Sequence, residues 1–550
     1  MTIHRLRGNR SVEGPPPLVL TEPSGFVAGR EPVTRAPRLV VHVGPGSLHP
    51  TDVLAVARLG AEVRLTDAAI AAIGSSRAVV DALAEAERPV YGVSTGFGAL
   101  HSVDIPIADR DRLQQALIRS HVAGAGPEVE REVVLAMMLM RLRTLASGRT
   151  GVRIETAQAY AAMLSAGITP VVHEYGSLGC SGDLSPLSAI ALALTGEGEV
   201  FDAGGTRMPA AEALRQAALH PVRLAAKEGL ALINGTDGML GMLLLAVHDL
   251  GVLLRTADIA AAISVEALLG SDGPFAADLM ALRPHPGQSA SAANLRMLLE
   301  GSAIVAGQRG TDSPRVQDPY SLRCTPQVHG AARDTLDHAE HVARRELASS
   351  IDNPVVTLDG RVESNGNFHG APLGYVLDFL AIAVADIASI SERRTDRLLD
   401  RTRSHGLPAF LADDPGVDSG LMIAQYTAAG IVAELKRLAV PASVDSIPSS
   451  AMQEDHVSLG WHAARKLRRA IDGLAGVLAI ELITGTRAID LRQPLTPAPA
   501  TAAAVASIRN AGVAGPGPDR HLAPEIEIAN RIVRSGSLLA DTESEIGPLR

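Results

Sequence analysis

A chain of 550 residues is long enough to bury a large hydrophobic core and to form more than one domain. Hydrophobic residues make up 46% of the chain and aromatic residues only 3%, so we expect a core of closely packed aliphatic side chains, typical of helices. Since the net charge is −10 and no basic cluster resembles a phosphate-binding face, nucleic acid is excluded as a partner.

Cysteine content and hydropathy bear on the compartment. Cys180 and Cys324 are too few for a disulfide framework, which favours a reducing compartment. The first arginines are followed by an acidic residue and three prolines rather than by an apolar core, unlike a secretory signal. The most apolar stretch, 239–254, contains His248 and Asp249 and is short for a bilayer span, so it predicts a buried helix. We therefore expect a cytoplasmic protein with no membrane contact.

The chain begins with a segment that lacks hydrophobic periodicity. Residues 1–36 are rich in Pro, Gly and Arg, and we expect a disordered or loosely docked tail. A β-branched run over 38–43 then predicts a short strand. Residues 54–83 are rich in alanine and have helical spacing, which predicts helix throughout.

A glycine-rich loop follows and opens with a tyrosine. It has the sequence YGVSTGFG from Tyr91, and three glycines in eight residues indicate an irregular loop. A tyrosine there can act as a general base if positive charge lowers its pKa from about 10. The alternatives are a flexible surface loop or a phosphate-binding loop, although the glycine spacing does not match a P-loop.

The pair Ser120-His121 lies between two predicted helices, 113–118 and 133–145. His121 either contacts a ligand or caps the end of the first helix. Because no second His or carboxylate lies at ligand spacing, we predict no metal site.

Residues 176–186, GSLGCSGDLSP, form the most unusual segment. Six of the eleven residues are Gly or Ser, a composition typical of a tight turn. The apolar run 187–194 follows, so we expect a buried helix with Ser or Asp as its cap and Pro186 in its first turn. A tight bend would bring the Gly182 nitrogen against the Cys180 carbonyl carbon. Ring closure and loss of the Ser181 hydroxyl would then leave a methylidene electrophile, whereas the alternative is an ordinary helix cap.

Three further positions carry polar side chains that suit a binding or catalytic role. Asn234 interrupts an apolar run and serves either as a turn residue or as a ligand contact. Arg323, three residues after Tyr320, could bind a carboxylate with two parallel donors or form a surface salt bridge. Glu454, before a helix predicted to run through Leu482, suits acid–base work or helix capping. Long helices are also predicted over 373–399 and 419–437.

Taken together, these segments resemble the histidine/phenylalanine ammonia-lyase family, from about Arg38 to near the C-terminus. Eight blocks occur in the family's order and approximate spacing, which is hard to obtain by chance. They are YGVSTGFG from Tyr91, GSLGCSGDLSPLS from Gly176, LINGT from Leu232, RPHPGQ from Arg283, VQDPYSLRC from Val316, DNP from Asp352, GNFHG from Gly366 and QEDHVS from Gln453.

The resemblance implies that Cys180-Ser181-Gly182 cyclises to 4-methylidene-imidazol-5-one (MIO), with no dissociable cofactor. The family's usual tripeptide is Ala-Ser-Gly. Since the Cys180 side chain would lie outside the ring chemistry, cyclisation is still expected. The resemblance assigns abstraction of the substrate β-proton to Tyr91 and the clamp on the substrate carboxylate to Arg323. The positions that match the family's residues around the MIO, the carboxylate and the amine are Asn234, Gln317, Tyr320 and Phe368.

The resemblance also bears on the substrate. Ser120-His121 matches the selectivity position of histidine lyases, and Glu454 and Met422 match the histidine type. A carboxylate and a histidine suit an imidazole, whereas an unpaired buried carboxylate suits a phenyl ring poorly. We therefore expect elimination of ammonia from L-histidine to give trans-urocanate.

Several positions depart from the family's pattern and keep alternatives open. Besides Cys180, they are Ser94, Ala116, 172–175, Asp237 and Asn365. One alternative is an MIO-dependent lyase or 2,3-aminomutase acting on another amino acid. A second alternative is a non-catalytic helical homologue.

The fold implied by the resemblance is mainly α, a long-helix bundle like that of fumarase and aspartase. We expect an N-terminal MIO-bearing domain over 37–240, a central long-helix bundle over 241–480 and a C-terminal helical part over 481–550. The resemblance further implies a homotetramer in which each active site draws residues from three subunits.

Overall fold

The computed structural model describes residues 39–85, 90–92, 94–308 and 316–550, so the expectation for the tail at 1–36 falls outside it. The described residues are mainly helical, as predicted. Their α-helices are α1 (Pro50–Leu59), α2 (Asp67–Ala84), α3 (Arg110–His121), α4 (Arg131–Ala146), α5 (Ile154–Ser165), α6 (Leu184–Leu194), α7 (Ala210–Gln216), α8 (Glu228–Ile233), α9 (Asp237–Ala267), α10 (Ala277–Ala281), α11 (Pro286–Leu298), α12 (Ala303–Ala306), α13 (Tyr320–Arg323), α14 (Thr325–Ala348), α15 (Ala371–Leu399), α16 (Met422–Leu438), α17 (Gly460–Asp490), α18 (Pro499–Asn510), α19 (Ala523–Ser535) and α20 (Ser537–Ile546).

The strands in the described ranges are short and form four small sheets. They are β1 (Val40–Val43), β2 (Glu62–Leu65), β3 (Ala125–Glu128), β4 (Thr169–Pro170), β5 (His173–Tyr175), β6 (Glu199–Phe201), β7 (Arg207–Pro209), β8 (Val355–Val356) and β9 (Val362–Glu363). The pair β1–β2 is parallel, whereas β3–β5, β4–β6–β7 and β8–β9 are antiparallel.

The prediction of a strand at 38–43 is confirmed by β1, but the prediction of helix throughout 54–83 is wrong in its middle. Gly60 has a left-handed backbone, with φ +66°, and ends α1. The next residues form β2, which pairs with β1, and Thr66 then caps α2 through its side-chain oxygen. Residues 62–65 therefore form a strand, because pairing with β1 stabilises it, although the alanine-rich pattern predicts a helix there.

Four long helices, α9, α14, α15 and α17, form the core. Both α9 and α17 have 31 residues, which corresponds to about 46 Å. Helix α17 packs along α9, α15, α16 and α19. The helices predicted over 133–145, 373–399 and 419–437 are confirmed within a few residues. The expected domain boundaries at 240 and 480 stay a prediction, and α9 and α17 cross those positions without a break.

Two segments are long and apolar enough to span a membrane by length and hydropathy alone, Glu228–Ala267 and Ala371–Leu399. The apolar window of the first is 94% buried inside the fold, which confirms the predicted core helix at 239–254. That of the second is only 61% buried, and α15 exposes Tyr375, Phe379 and Ile382 along one face.

Candidate active site

A cavity of about 700 Å³ lies between the loop after Tyr91, helix α3, the start of α6 and the loop before α17. Its apolar lining includes Leu100, Val103 and Leu117. Its polar lining includes Ser450 and six residues singled out from the sequence: Tyr91, Ser120, His121, Ser181, Asn234 and Glu454. The fold therefore brings together six of the residues singled out from the sequence.

The turn at Cys180-Ser181-Gly182 is built so that its last residue has to be glycine. Gly182 has a left-handed backbone, with φ +78°, and a Cβ there would lie 2.1 Å from the Gly235 carbonyl oxygen. The next amide, of Asp183, donates to that same oxygen at 2.7 Å. On the other side, the Gly179 carbonyl accepts from the Gly370 amide at 3.0 Å. The tripeptide is thus held between fixed backbone segments.

Asp183 occupies the N-cap position of α6, as predicted, but its side chain makes no capping hydrogen bond to that helix. Its carboxylate instead accepts from the amides of Gly238 and Met239, at 2.8 and 3.0 Å, in the first turn of α9. It also accepts from the Ser177 hydroxyl at 2.8 Å. The carboxylate therefore links the tripeptide turn to a core helix. The prediction that Pro186 lies in the first turn of α6 is confirmed.

Burial raises the pKa of Asp183 to about 7, despite the donors around it. The unfolded chain releases this proton near pH 4 and the folded chain near pH 7, so rising pH between these values favours unfolding. We expect Asp183→Asn to remove this contribution. Relative to the variant, the wild-type free energy of unfolding should fall by about 3 kcal/mol from about pH 5 to about pH 8.

The measurement is urea denaturation at both pH values. The control is Asp359→Asn, because hydrogen bonds from Arg361 and Thr357 lower the pKa of that exposed carboxyl to about 2. It should therefore leave the pH dependence unchanged over this range. Identical pH dependence in wild type and Asp183→Asn would mean that Asp183 is ionised in the folded protein throughout.

Glu454 connects the cavity to the tripeptide. Its Oε1 accepts from the Ser181 hydroxyl at 3.0 Å, and its Oε2 accepts from the Cys180 thiol at 3.1 Å and the Ser449 hydroxyl at 2.9 Å. Ser449 was not found from the sequence, because a serine in a loop carries no signal of its own. Its pairing with Glu454 arises from a local β-bridge between the two residues.

Asn234 also contacts the tripeptide. Its Nδ2 donates to the Ser181 carbonyl oxygen at 3.0 Å, and the residue is only 4% exposed. Its Oδ1 is buried and has no hydrogen-bond partner among the described residues. A buried amide oxygen without a partner is costly, so it suits a donor group on a ligand.

Tyr91 and His121 flank the same cavity. The Tyr91 hydroxyl accepts from the Gly98 amide at 3.4 Å, and its pKa is raised by burial and by the charge of Glu454. Burial lowers the pKa of His121, the last residue of α3, which favours the neutral imidazole near pH 7. The Ser120 hydroxyl lies 3.1 Å from its Nδ1.

Phe368 does not line the cavity, although its loop touches the tripeptide segment. Two residues later, the Gly370 amide donates to the Gly179 carbonyl oxygen. The adjacent His369 ring stacks on His456, with ring centroids 5.8 Å apart. The loop is therefore fixed against the site, with Phe368 partly exposed beside it.

The carboxylate-binding candidates lie at the far end of the bundle from the cavity. Thr236, near the tripeptide, donates to Glu346 near the end of α14, whereas Arg323 lies two residues before the start of that helix. Thr325 and Glu346 are about 30 Å apart at a rise of about 1.5 Å per residue. Within one chain, Arg323 therefore does not reach the cavity, and the same holds for its neighbours Gln317 and Tyr320.

Met422 lies at this far end too. Arg394 donates to the Ser321 carbonyl oxygen at 3.4 Å, and Gln425, one turn after Met422, donates to Glu392 at 2.8 Å. Because Arg394 and Glu392 belong to the C-terminal part of α15, Ser321 and Gln425 both lie close to that part of the helix.

The residues at this far end are partly accessible. Tyr320 is 71% exposed, and the Arg323 guanidinium lies 4.7 Å from its ring centroid. The Arg323 Nε is buried without a hydrogen-bond partner among the described residues. The far end thus presents a second cluster of site candidates to the outside.

Three of the residues that depart from the family's pattern have different surroundings in the structure. Asp237 forms a buried ion pair with Arg141. The Asn365 amide group donates to the Asp352 carbonyl oxygen at 3.0 Å and so closes a loop. Ala116 lines the cavity. Of these three, only Ala116 bears directly on the shape of the site.

Comparisons with known proteins place this chain in a family. A model of the family described as aromatic amino acid lyase matches residues 48–510. The histidine ammonia-lyase of Streptomyces coelicolor is 64% identical over 510 residues, covering 93% of this chain and 99% of that protein. The histidine ammonia-lyase of Gloeobacter violaceus is 49% identical over 504 residues, covering 92% and 97%.

Solved structures give the same result. The tyrosine aminomutase from Streptomyces globisporus has a TM-score of 0.88 at 37% identity, covering 93% of this chain and 100% of that one. The histidine ammonia-lyase from Trypanosoma cruzi has a TM-score of 0.85 at 37% identity, covering 92% and 96%. The fold is that of these lyase and aminomutase structures, and the identity to histidine ammonia-lyases shows that the chain is a carbon–nitrogen lyase. The chain belongs to the aromatic amino acid lyase family, which confirms the family, fold class and enzyme class predicted from the sequence.

Proposed function

We propose that this chain eliminates ammonia from L-histidine to give trans-urocanate, by means of an MIO group formed from its own tripeptide. The observation that supports this substrate is the carboxylate of Glu454 in a largely apolar cavity that the neutral His121 also lines. Both groups can hydrogen-bond an imidazole, whereas a phenyl ring would leave the carboxylate oxygen Oε1 without a donor once Ser181 has lost its hydroxyl. The identity to histidine ammonia-lyases supports the same substrate.

The residues fit the MIO group. Ring closure joins the Gly182 nitrogen to the Cys180 carbonyl carbon and releases that carbonyl oxygen as water. Ser181 then loses its α-proton and its hydroxyl as a second water. Gly182 offers no Cβ to obstruct the closure, and Asn234 already donates to the Ser181 carbonyl oxygen. When formed, the MIO supplies an electrophile for the substrate's amine or aromatic ring.

The chain's other residues bind the substrate and move its proton. Tyr91 takes the β-proton, which requires a phenolate. Burial and Glu454 raise its pKa in the single chain, so a nearby cation is needed to lower it. We assign the role of this cation to Arg323 of a second copy of the chain. The guanidinium of that Arg323 also binds the substrate carboxylate through two parallel donors. The Arg323 guanidinium lies beside the exposed ring of Tyr320, on a side of the chain that another copy can reach, which supports this role.

We further propose a homotetramer with shared active sites. The cavity and the Arg323 cluster occupy opposite ends of the bundle, so an antiparallel copy can bring one chain's cluster to another chain's cavity. Apolar side chains exposed on α15 and α16, including Phe379, Ile382 and Tyr426, offer a surface for that packing. The cytoplasmic location stays a prediction.

The test is a substrate panel with the purified protein. We expect kcat/KM for histidine to exceed that for phenylalanine and tyrosine by about 10³-fold or more, because a site built to hydrogen-bond a substrate rejects analogues that lack the group. Glu454→Gln should lower turnover of histidine far more than that of phenylalanine. Faster turnover of phenylalanine or tyrosine by the wild type would overturn the assignment, and a β-amino acid among the products would identify an aminomutase.

A further inference from the structure

Three donors hold the Glu454 carboxylate, and they are divided unequally between its two oxygens. Oε2 accepts from the Cys180 thiol at 3.1 Å and from the Ser449 hydroxyl at 2.9 Å. Among the described residues, the side chain that donates to Oε1 is Ser181, at 3.0 Å. The two oxygens therefore respond differently to any change in the tripeptide.

Formation of the MIO removes one of these donors. The Ser181 hydroxyl leaves as water when the methylidene group forms, so Oε1 loses its partner and becomes free to accept from a bound substrate. The donors on Oε2 are not consumed by the chemistry. Cys180 is only 6% exposed, and burial beside Glu454 raises the pKa of its thiol to about 12. The thiol therefore stays protonated at neutral pH and remains a donor.

We propose that Cys180 is a positioning residue for histidine binding. Its thiol and the Ser449 hydroxyl hold Oε2 of Glu454, which aims Oε1, vacated by the Ser181 hydroxyl, at the N–H of the substrate's imidazole ring. This inference rests on the proposed function. The alanine usual at this position in the family has no donor, so in such a tripeptide Ser449 alone would hold Oε2.

A packing role is the competing explanation. Cys180 forms a small apolar cluster with Val457 and Leu459, against which Leu178 and Ala442 pack. Two substitutions separate the roles. Cys180→Ser keeps a hydrogen-bond donor but is less apolar, whereas Cys180→Ala removes the donor and remains compatible with an apolar site. A positioning role predicts that serine is the better replacement, and a packing role predicts alanine.

The experiment measures MIO absorbance, the dissociation constants of trans-urocanate and cinnamate, and the kinetic constants for histidine. We expect the wild type, Cys180→Ala and Cys180→Ser all to show the MIO absorbance. Cys180→Ala should weaken urocanate binding and raise KM for histidine about tenfold, because a hydrogen bond to a charged group contributes about 1.5 kcal/mol. Its kcat should change less. Cys180→Ser should restore most of the urocanate affinity, and cinnamate, which has no imidazole N–H, should bind all three proteins alike.

Two outcomes would overturn the positioning role: urocanate affinity in Cys180→Ala equal to that of the wild type, or equal weakening of urocanate and cinnamate in both variants. Failure of the proposed function looks different. It would show as missing MIO absorbance in the wild type, or as turnover of phenylalanine in preference to histidine, before any Cys180 variant is compared.

Discussion

Ser181→Ala is expected to lose the MIO absorbance and to lower kcat/KM for histidine by more than about 10³-fold, because alanine has no hydroxyl to eliminate and cannot yield the methylidene group. The fold should survive the change. The Ser181 side chain makes one hydrogen bond, to Glu454, whereas the turn itself is held through backbone groups of Gly179 and Asp183. The measurements are the near-ultraviolet absorbance of the purified protein, its histidine kinetics and its thermal unfolding.

Ser188→Ala is a matched control, one turn into α6. Its hydroxyl donates only to the Leu184 carbonyl oxygen within the same helix, so its removal should affect neither the absorbance nor the kinetics. If Ser181→Ala retained full lyase activity, the MIO proposal would be wrong. If it lost activity while keeping the absorbance, the electrophile would have another source and Ser181 another role.

Local patterns in the sequence predicted much of the fold. The apolar run after Pro186 and the long periodic segments at 373–399 and 419–437 are helices, because hydrophobic spacing is a property of neighbouring residues. The same method failed at 62–65, where a parallel partner strand decides the structure. Sequence patterns also predicted a local cap from the Asp183 side chain. Its carboxylate instead accepts from the amides of Gly238 and Met239, which lie 55 and 56 residues further along the chain.

The site depends even more on distant contacts. The Ser181 hydroxyl donates to Glu454, which lies 273 residues further along the chain, and no rule based on sequence spacing predicts that contact. The resemblance to a family supplied both positions, but it could not supply Ser449 or the division of donors between the two carboxylate oxygens. Nor does a sequence reveal that Arg323 lies at the other end of a long helix from the cavity. That separation follows from the length of α14 and is the strongest structural reason to expect shared sites.

Tyr91→Phe and Arg323→Ala are each expected to lower kcat/KM for histidine by at least about 10²-fold, because one loses the base and the other the carboxylate clamp. Neither change should disturb the chain's own fold. Tyr91 lies at the cavity wall, and Arg323 lies on a four-residue helix at the outside of the bundle. Size-exclusion chromatography with light scattering would check that both variants still assemble.

The two inactive variants should rescue each other when they are co-expressed with different affinity tags and purified as mixed assemblies. If a site takes Tyr91 from one chain and Arg323 from another, random mixing leaves about one quarter of the sites with both intact residues, so about one quarter of wild-type activity should return. A site built within one chain would gain nothing, because no chain in the mixture carries both residues. The double variant co-expressed with wild type is the matched control. Shared sites again predict about one quarter of the activity there, whereas sites within one chain predict about one half.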